Sequence, residues 1–293
     1  MVPVESPGSQ TKAARRVVIV GGVAGGMSAA TRLRRLEADT DITVIERSSH
    51  VSYANCGLPY FVGGVIEEEE DLLLQTPASL HDRFRLDVRV DCEVVAIDPS
   101  RRTVTTRSTV LGIDDELSYD QLVLSPGATS VRPGIPGFER VRPLRTVEDA
   151  ALLVADVALR PRTAVVIGAG FIGLETAENL ARAGLAVTVV EAAPQVLSPL
   201  DPELAVLVAE ELREHGVALE VGAAVAEVTP AQVILADGRA LDADLVVGAL
   251  GVRPDVRLAE LAGLDIGPNG GIAVNDAFQT SDPDIYAVGD AVE

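Results

Sequence analysis

TAVVIGAGFIGLETAENLARAG, residues 163–184, decides the fold. An apolar run ends at Gly168, Gly170 and Gly173, spaced G-x-G-x-x-G around Phe171 and Ile172, and then gives way to apolar residues at helical spacing. That order predicts a buried strand, a tight turn and a helix. The first glycine permits the turn, the second lets backbone approach a pyrophosphate, and the third lets the helix pack on its strand. A pyrophosphate then sits at the helix N-terminus, where unpaired N–H groups and the dipole favour anions. The next run, LAVTVVEAAP (185–194), is β-branched and reaches Glu191, 18 residues after Gly173. An acid at a strand end there accepts hydrogen bonds from an adenosine ribose and repels a 2′-phosphate.

The same order occurs earlier in the chain. RRVVIVGGVAGGMSAATRLRRL (15–36) passes from an apolar run through Gly21, Gly22, Val23, Ala24, Gly25 and Gly26 into helical spacing. DITVIERS (41–48) then brings Glu46 and Arg47. Val23 stands where the middle glycine belongs, so this turn is the weaker match on spacing alone. Glu46, 20 residues after Gly26, restores it as the acceptor for a ribose hydroxyl pair. Two copies, with Gly21 and Gly168 147 positions apart, predict an α/β chain with two Rossmann-like nucleotide domains.

The remaining segments run in parallel too. LVLSPGATS (122–130), with Ser125, Gly127 and Ala128, and LVVGALGVRP (245–254), with Gly251, each read as a late strand whose glycine turn returns to the nucleotide. LRTVEDA (144–150) reads as a hinge between domains. DIYAVGD (284–290) closes on Gly289 and Asp290 and reads as rejoining the first domain, so the second is inserted in the first. The expected boundaries are a mobile tail over 1–15, the first domain over 16–146 and 266–293, and the second over 147–265.

Composition limits the rest. Hydrophobic residues make up 47% and aromatics only 3%, which suits a core of Val, Leu, Ile and Ala in parallel strands. Lys and Arg total 24 against 44 Asp and Glu, a formal charge of −20, which argues against a nucleic-acid partner. Residues 1–15 lack an apolar signal core, no run is long enough to span a bilayer, and a cytoplasmic protein is expected. The histidines, His50, His81 and His215, are scattered, so no metal is expected.

Two cysteines remain. Cys92, in VDCEVVAID (90–98), falls in an apolar strand pattern and reads as core packing. Cys56 falls in SYANCGLPYFVGG (52–64), a loop rich in glycine, proline and aromatics.

Two nucleotide units, a redox-type cysteine after the first and a terminal YAVGD together resemble the pyridine nucleotide–disulfide oxidoreductase family, over residues 16–293. The resemblance implies FAD on the first unit and NADH, or NADPH, on the second, with Glu191 favouring NADH. It places Glu46 on the flavin's ribose, Ser125 to Ala128 beside the flavin, Asp290 on the ribityl chain and Arg145 as a further flavin contact. Phe171 matches an aromatic gate over the nicotinamide pocket, and Glu175 the helix acid beside it.

The dithiol members carry C-x-x-x-x-C. Five residues after Cys56 stands Phe61, so the second sulfur, or an oxygen, must come from outside. SYANCGLPY and GGVAGG together resemble the single-cysteine branch of coenzyme A-disulfide reductases and NADH-dependent persulfide reductases. That likeness implies Cys56 as the redox residue and Ser28, Arg32, Arg35, Ser52 and Asn55 as coenzyme A contacts. A lysine expected in that site falls on Phe84, with Arg83 or Arg85 as substitutes. Members of the branch continue into a dimerisation domain, whereas this chain stops three residues after Asp290, and that domain is expected to be missing. Two other readings stay open: an NADH oxidase or peroxidase that uses Cys56 as a sulfenic acid, and a truncated nucleotide-binding module without turnover.

Overall fold

A computed structural model describes residues 14–293. Residues 1–13 of the expected mobile tail lie outside them. Its last residue is held in place, since the Arg15 carbonyl accepts the Asp41 N–H and its guanidinium pairs with Glu37.

The chain forms two compact units. The first gathers the described residues up to Val51 with Pro77–Gly127 and Val256–Glu293, and the second gathers Ser52–Thr76 and Ala128–Asp255. In the first, five parallel strands run in the order Ile285–Ala287, Gln121–Leu124, Arg16–Val20, Asp41–Ile45, Asp87–Arg89. In the second, the order is Arg142–Pro143, Leu245–Gly248, Thr163–Ile167, Ala186–Glu191, Ala218–Val221, again parallel throughout. In both, the strand feeding the glycine turn lies at the centre, between the late strand and the acid-bearing strand. Each unit adds a three-stranded antiparallel sheet, Cys92–Asp98 with its two successors in one and Val225–Val228 with its two in the other.

The central strand shows why these sequences must be strands of a covered sheet. Val17 and Ile19 pack into one cluster with Met27, Val44 and Leu80, while Val18 and Val20 pack into another with Val104, Leu122 and Ile285. Alternate side chains thus reach opposite faces, and both faces are buried. Cys92 packs, half-buried, against the second of these clusters, as its strand pattern implies. The terminal run also behaves as expected, Ile285–Ala287 pairing in parallel with Leu122–Leu124.

One expectation is corrected, and the compact units are drawn differently from the expected domains. The compact units do not follow the expected boundaries: 52–76 and 128–146 go with the second unit and 256–265 with the first. The reason is backbone pairing, because Ala128–Ser130 pairs with Val252–Pro254 and Arg142–Pro143 joins the second parallel sheet. Residues 144–150 are no hinge. Thr146 opens the helix Val147–Ala158 with a reciprocal capping box to Asp149. No helix among the described residues is long and apolar enough to cross a membrane.

Candidate functional site: two glycine turns and a thiol loop

In the first unit the chain leaves its central strand at Gly21, with φ +101°, and an added Cβ would lie 2.0 Å from the Ser125 carbonyl oxygen. Gly26 is equally constrained, its Cβ position 1.9 Å from the Gly21 carbonyl oxygen. Only glycine lets this helix start so close to the turn that precedes it. Gly25 approaches Ser125 Oγ and Gly289, so the turns after three neighbouring strands meet at one edge of the sheet. Ligands of such sheets bind outside the carboxyl ends of the strands.

Glu46 is buried at 7% exposure. Its Oε2 accepts the Gly22 N–H at 2.6 Å and its Oε1 the Ser48 N–H at 2.9 Å. Glu191 repeats the arrangement, Oε2 accepting from Ala169 N–H at 2.7 Å and Oε1 from Ala193 N–H at 2.8 Å. In both copies one oxygen holds the residue after the first glycine, and the other holds the residue two positions beyond the acid. A carboxylate offers about four acceptor positions. Both acids are fixed in place by backbone, and Glu191 retains capacity for a ribose hydroxyl pair.

The second turn shows the remaining glycine roles. Gly168, at φ +107°, would bring a Cβ 2.4 Å from the Ala249 carbonyl oxygen, and Gly173 would bring one 2.0 Å from that of Gly168. An added Cβ on Gly170 meets nothing within 4 Å. The protein leaves that space open, which is where a pyrophosphate would approach. The first turn holds Val23 at the corresponding helix N-cap position, without a side-chain cap. A dinucleotide thus fits both turns, the second with more room at its middle position. Phe171 (66% exposed) and Ile172 project at the head of the helix Phe171–Arg182, with Glu175 half-buried one turn further on. Gly251, at φ +85°, follows the strand Leu245–Gly248 and is exposed.

The thiol loop belongs to the second unit. Its first residues are tied to the segment 72–74, Ala54 N–H donating to the Leu72 carbonyl at 2.8 Å and Leu74 N–H to the Ser52 carbonyl at 3.0 Å. Ser52 sits at φ +49°, a strained conformation for a side chain with a Cβ. Cys56 is exposed in the turn Asn55–Gly57, and the helix Leu58–Val62 follows, burying Leu58, Pro59, Phe61 and Val62. That helix packs on Val147–Ala158 and Phe171–Arg182. Tyr53 is buried and Tyr60 half-buried.

Other expected residues are placed as follows. Ser28, Arg32 and Arg35 share one face of Ala24–Leu36 and are exposed. The guanidinium of Arg35 lies 5.9 Å from the centre of the Phe84 ring, and that of Arg83 lies 5.1 Å from it. Arg85 instead donates to the Ala38 carbonyl at 2.7 Å, so of the two substitutes Arg83 stands beside Phe84. Ala128, Arg145, Ser52 and Asn55 belong to the second unit, where Arg145 Nε donates to the Ala128 carbonyl at 2.7 Å. Asp290 and Arg47 are exposed in the first unit.

Sequence reading missed Gly63 and Asn179. Asn179 is fully buried and donates from Nδ2 to the Glu175 carbonyl at 2.8 Å, while its Oδ1 has no hydrogen-bond partner. A Cβ on Gly63 would lie 2.5 Å from that Oδ1. Gly63 is therefore what lets the end of the thiol-loop helix close on the helix of the second glycine turn. The paired glycines 63–64, directly after an apolar run, were the available signal.

Comparison with known proteins fits this geometry. A coenzyme A disulfide reductase of Staphylococcus haemolyticus is 33% identical over 279 residues, 95% of this chain and 63% of its own length. The crystal structure of reduced Bacillus anthracis CoADR-RHD matches with TM-score 0.94 and 45% identity, over 96% of this chain and 52% of that one. The NAD-dependent persulfide reductase from A. fulgidus matches with TM-score 0.91 and 40% identity, over 95% of this chain and 53% of that one. The chain spans less than two thirds of the length of each of these proteins. The family model of the pyridine nucleotide-disulphide oxidoreductases matches residues 15–293. With that match over two copies of one nucleotide-type turn, the chain belongs to the pyridine nucleotide-disulphide oxidoreductase family.

Proposed function

We propose that the protein is an FAD-dependent NAD(P)H oxidoreductase that reduces coenzyme A disulfide, or a persulfide, through a mixed disulfide on Cys56. The observation that carries this reading is Cys56 itself, an exposed free thiol in a loop whose first residues are tied to Leu72 and Leu74 and whose helix packs on the helix after the second glycine turn. The relatives named for coenzyme A disulfide and persulfide chemistry support it. Gly21, Gly26, Glu46 and Asp290 are assigned to FAD, and Gly168, Gly170, Gly173 and Glu191 to the pyridine nucleotide. Bound flavin would supply a two-electron relay between nicotinamide and sulfur.

The rest belongs to the thiol. The Cys56 thiolate attacks one sulfur of the disulfide, a Cys56–S–S–coenzyme A bond forms, and the first coenzyme A thiolate leaves. Two electrons and a proton then cleave that bond, releasing the second coenzyme A thiol and restoring the Cys56 thiolate. With a persulfide, the extra sulfur takes the place of coenzyme A on Cys56. The experiment is anaerobic reduction of the FAD-loaded protein by NADH, followed by coenzyme A disulfide, a persulfide, peroxide and air in separate runs. Reoxidation by the first two, with coenzyme A or an extra sulfur on the Cys56 peptide, is expected. Reoxidation by peroxide or air alone, with one added oxygen there, would replace this reading with the oxidase one.

Glu191 should set nucleotide choice. Its carboxylate is a charged acceptor where a 2′-phosphate would sit, and a hydrogen bond to a charged group contributes about 1.5–3 kcal/mol. Flavin reduction should be faster with NADH than with NADPH, and Glu191→Ala should lower that ratio about tenfold or more. The ratio is the useful quantity, because loss of the Ala169 and Ala193 acceptor affects both nucleotides alike. An unchanged ratio would remove Glu191 from the ribose.

A further inference from the structure

Arg140, Arg142, Arg160 and Arg162 line one cavity of about 580 Å³ in the second unit. They come from separate segments: the end of the turn Phe138–Arg140, the strand Arg142–Pro143, and the chain after the helix Val147–Ala158. The clustering runs against a composition with a formal charge of −20. Asp156 and Asp244 also line the cavity, but both are engaged. Arg142 meets both Asp156 oxygens, from Nε at 2.7 Å and from Nη2 at 3.3 Å. Asp244 accepts the backbone N–H groups of Arg162 and Thr163 at 2.8 and 3.1 Å, which hold its carboxyl below the usual carboxylate range.

Among the described residues, the guanidinium groups of Arg160 and Arg162 form no ion pair and no side-chain hydrogen bond. Arg140 also stands 3.9 Å from Glu139, and four arginines against three carboxylates leave one positive charge in excess. Arg160 is also placed by the end of a helix. It follows the helix C-cap Leu159 with φ +59°, at the position glycine usually occupies because a Cβ is strained there. The arginine at that point puts a guanidinium at the cavity.

The cavity lies away from the nucleotide turn. Arg162, Thr163 and Asp244 stand at the start of parallel strands, whereas Gly168 stands at the end of one. Five residues at about 3.3 Å each put about 16 Å between Thr163 and Gly168.

We propose that this cavity binds a phosphorylated metabolite of at least two negative charges, its phosphate oxygens paired with Arg160 and Arg162. Guanidinium forks match phosphate oxygens two at a time. The volume falls in the range of small-molecule sites, about 300–1,000 Å³, so the site has room for an organic portion as well as the phosphates.

Calorimetric titration of the whole chain tests this, with sodium pyrophosphate, ADP and polyglutamate as probes. The variants are Arg160→Gly, Arg162→Ala and, as a charge-matched control on the exposed face of Pro202–Glu214, Arg213→Ala. The glycine turn is intact in all of them, so affinity that follows Arg160 and Arg162 belongs to the cavity. Pyrophosphate affinity should fall tenfold or more in Arg160→Gly and Arg162→Ala and stay within twofold of wild type in Arg213→Ala. Arg160→Gly should do so with an unchanged or raised melting temperature, because glycine relieves the strain. Tighter binding of ADP than of pyrophosphate, with the difference lost in Arg160→Gly and Arg162→Ala, would assign the organic portion to the cavity, and an equal loss for both probes would assign free phosphates. No binding at millimolar pyrophosphate, equal affinity across all variants, or stronger binding of polyglutamate than of either phosphate overturns the proposal.

Discussion

Cys56→Ser is expected to load FAD and accept hydride from NADH like the wild-type protein, yet to lose disulfide turnover by on the order of 10³-fold or more. The split follows from where the residue sits. Cys56 is exposed in a turn of the second unit, and none of the hydrogen bonds that fix Glu46, Glu191 or the glycine turns passes through it. A serine hydroxyl adds no bulk there and leaves no cavity, so the fold should not change. Serine cannot form a bond to sulfur that two electrons reverse, so the covalent step has no substitute. Cys92→Ser is the control. It places a hydroxyl in a half-buried strand position against an apolar cluster and should cost about 1–3 kcal/mol, while turnover per folded molecule stays intact. The measurement is the anaerobic half-reaction with NADH, followed by steady-state reduction of coenzyme A disulfide. Wild-type turnover by Cys56→Ser would end the proposed role of the SYANCGLPYFVGG loop.

The parts of this molecule that are written locally were legible in sequence. Strand, glycine turn, helix and strand-end acid recur within about 30 residues, and each carries its own periodicity or spacing. The structure returns them with Glu46 and Glu191 held by matching pairs of backbone N–H groups. What escaped was written across the chain. Nothing in 52–76 shows that its helix packs on Val147–Ala158 and Phe171–Arg182, since that depends on complementary surfaces. Thr146 was read as part of a hinge although Thr146 and Asp149 spell a capping pair, a local signal that was overlooked. Asp201 occupies the N-cap of Pro202–Glu214, yet its side chain makes no capping bond. Asn179 reads as an ordinary polar helix residue, and only the structure shows Gly63 against it. The arginine cavity joins segments near residues 140, 160, 229 and 244, and no pattern in one window could have announced it.

The two copies also permit a prediction in which position alone decides the outcome. Gly26→Ala and Gly173→Ala each place a methyl group about where a backbone carbonyl oxygen already stands, 1.9 Å from that of Gly21 and 2.0 Å from that of Gly168. Backbone cannot rotate aside as a flexible side chain can, so the helix must move off its strand. Overpacking of that kind costs about 1–3 kcal/mol, or roughly 2–10 °C in melting temperature for a protein of this size. The displaced helix also carries the N–H groups that would face the pyrophosphate. Gly26→Ala should therefore yield protein depleted of FAD. Gly173→Ala should yield flavoprotein that NADH reduces slowly, with a raised NADH requirement. Gly170→Ala separates the two causes, because its Cβ meets no protein atom within 4 Å and its φ of −77° suits alanine. It should melt like the wild type and still bind NADH more weakly, since the space it fills is the space left for the ligand. Val23 at the corresponding position of the first turn already shows that a side chain there is compatible with the strand, turn and helix. Thermal unfolding and stopped-flow flavin reduction on the three variants decide the matter. Equal destabilisation by Gly170→Ala and Gly173→Ala would show that the space at Gly170 is not open, and unchanged NADH dependence in both would show that the second glycine turn holds no dinucleotide.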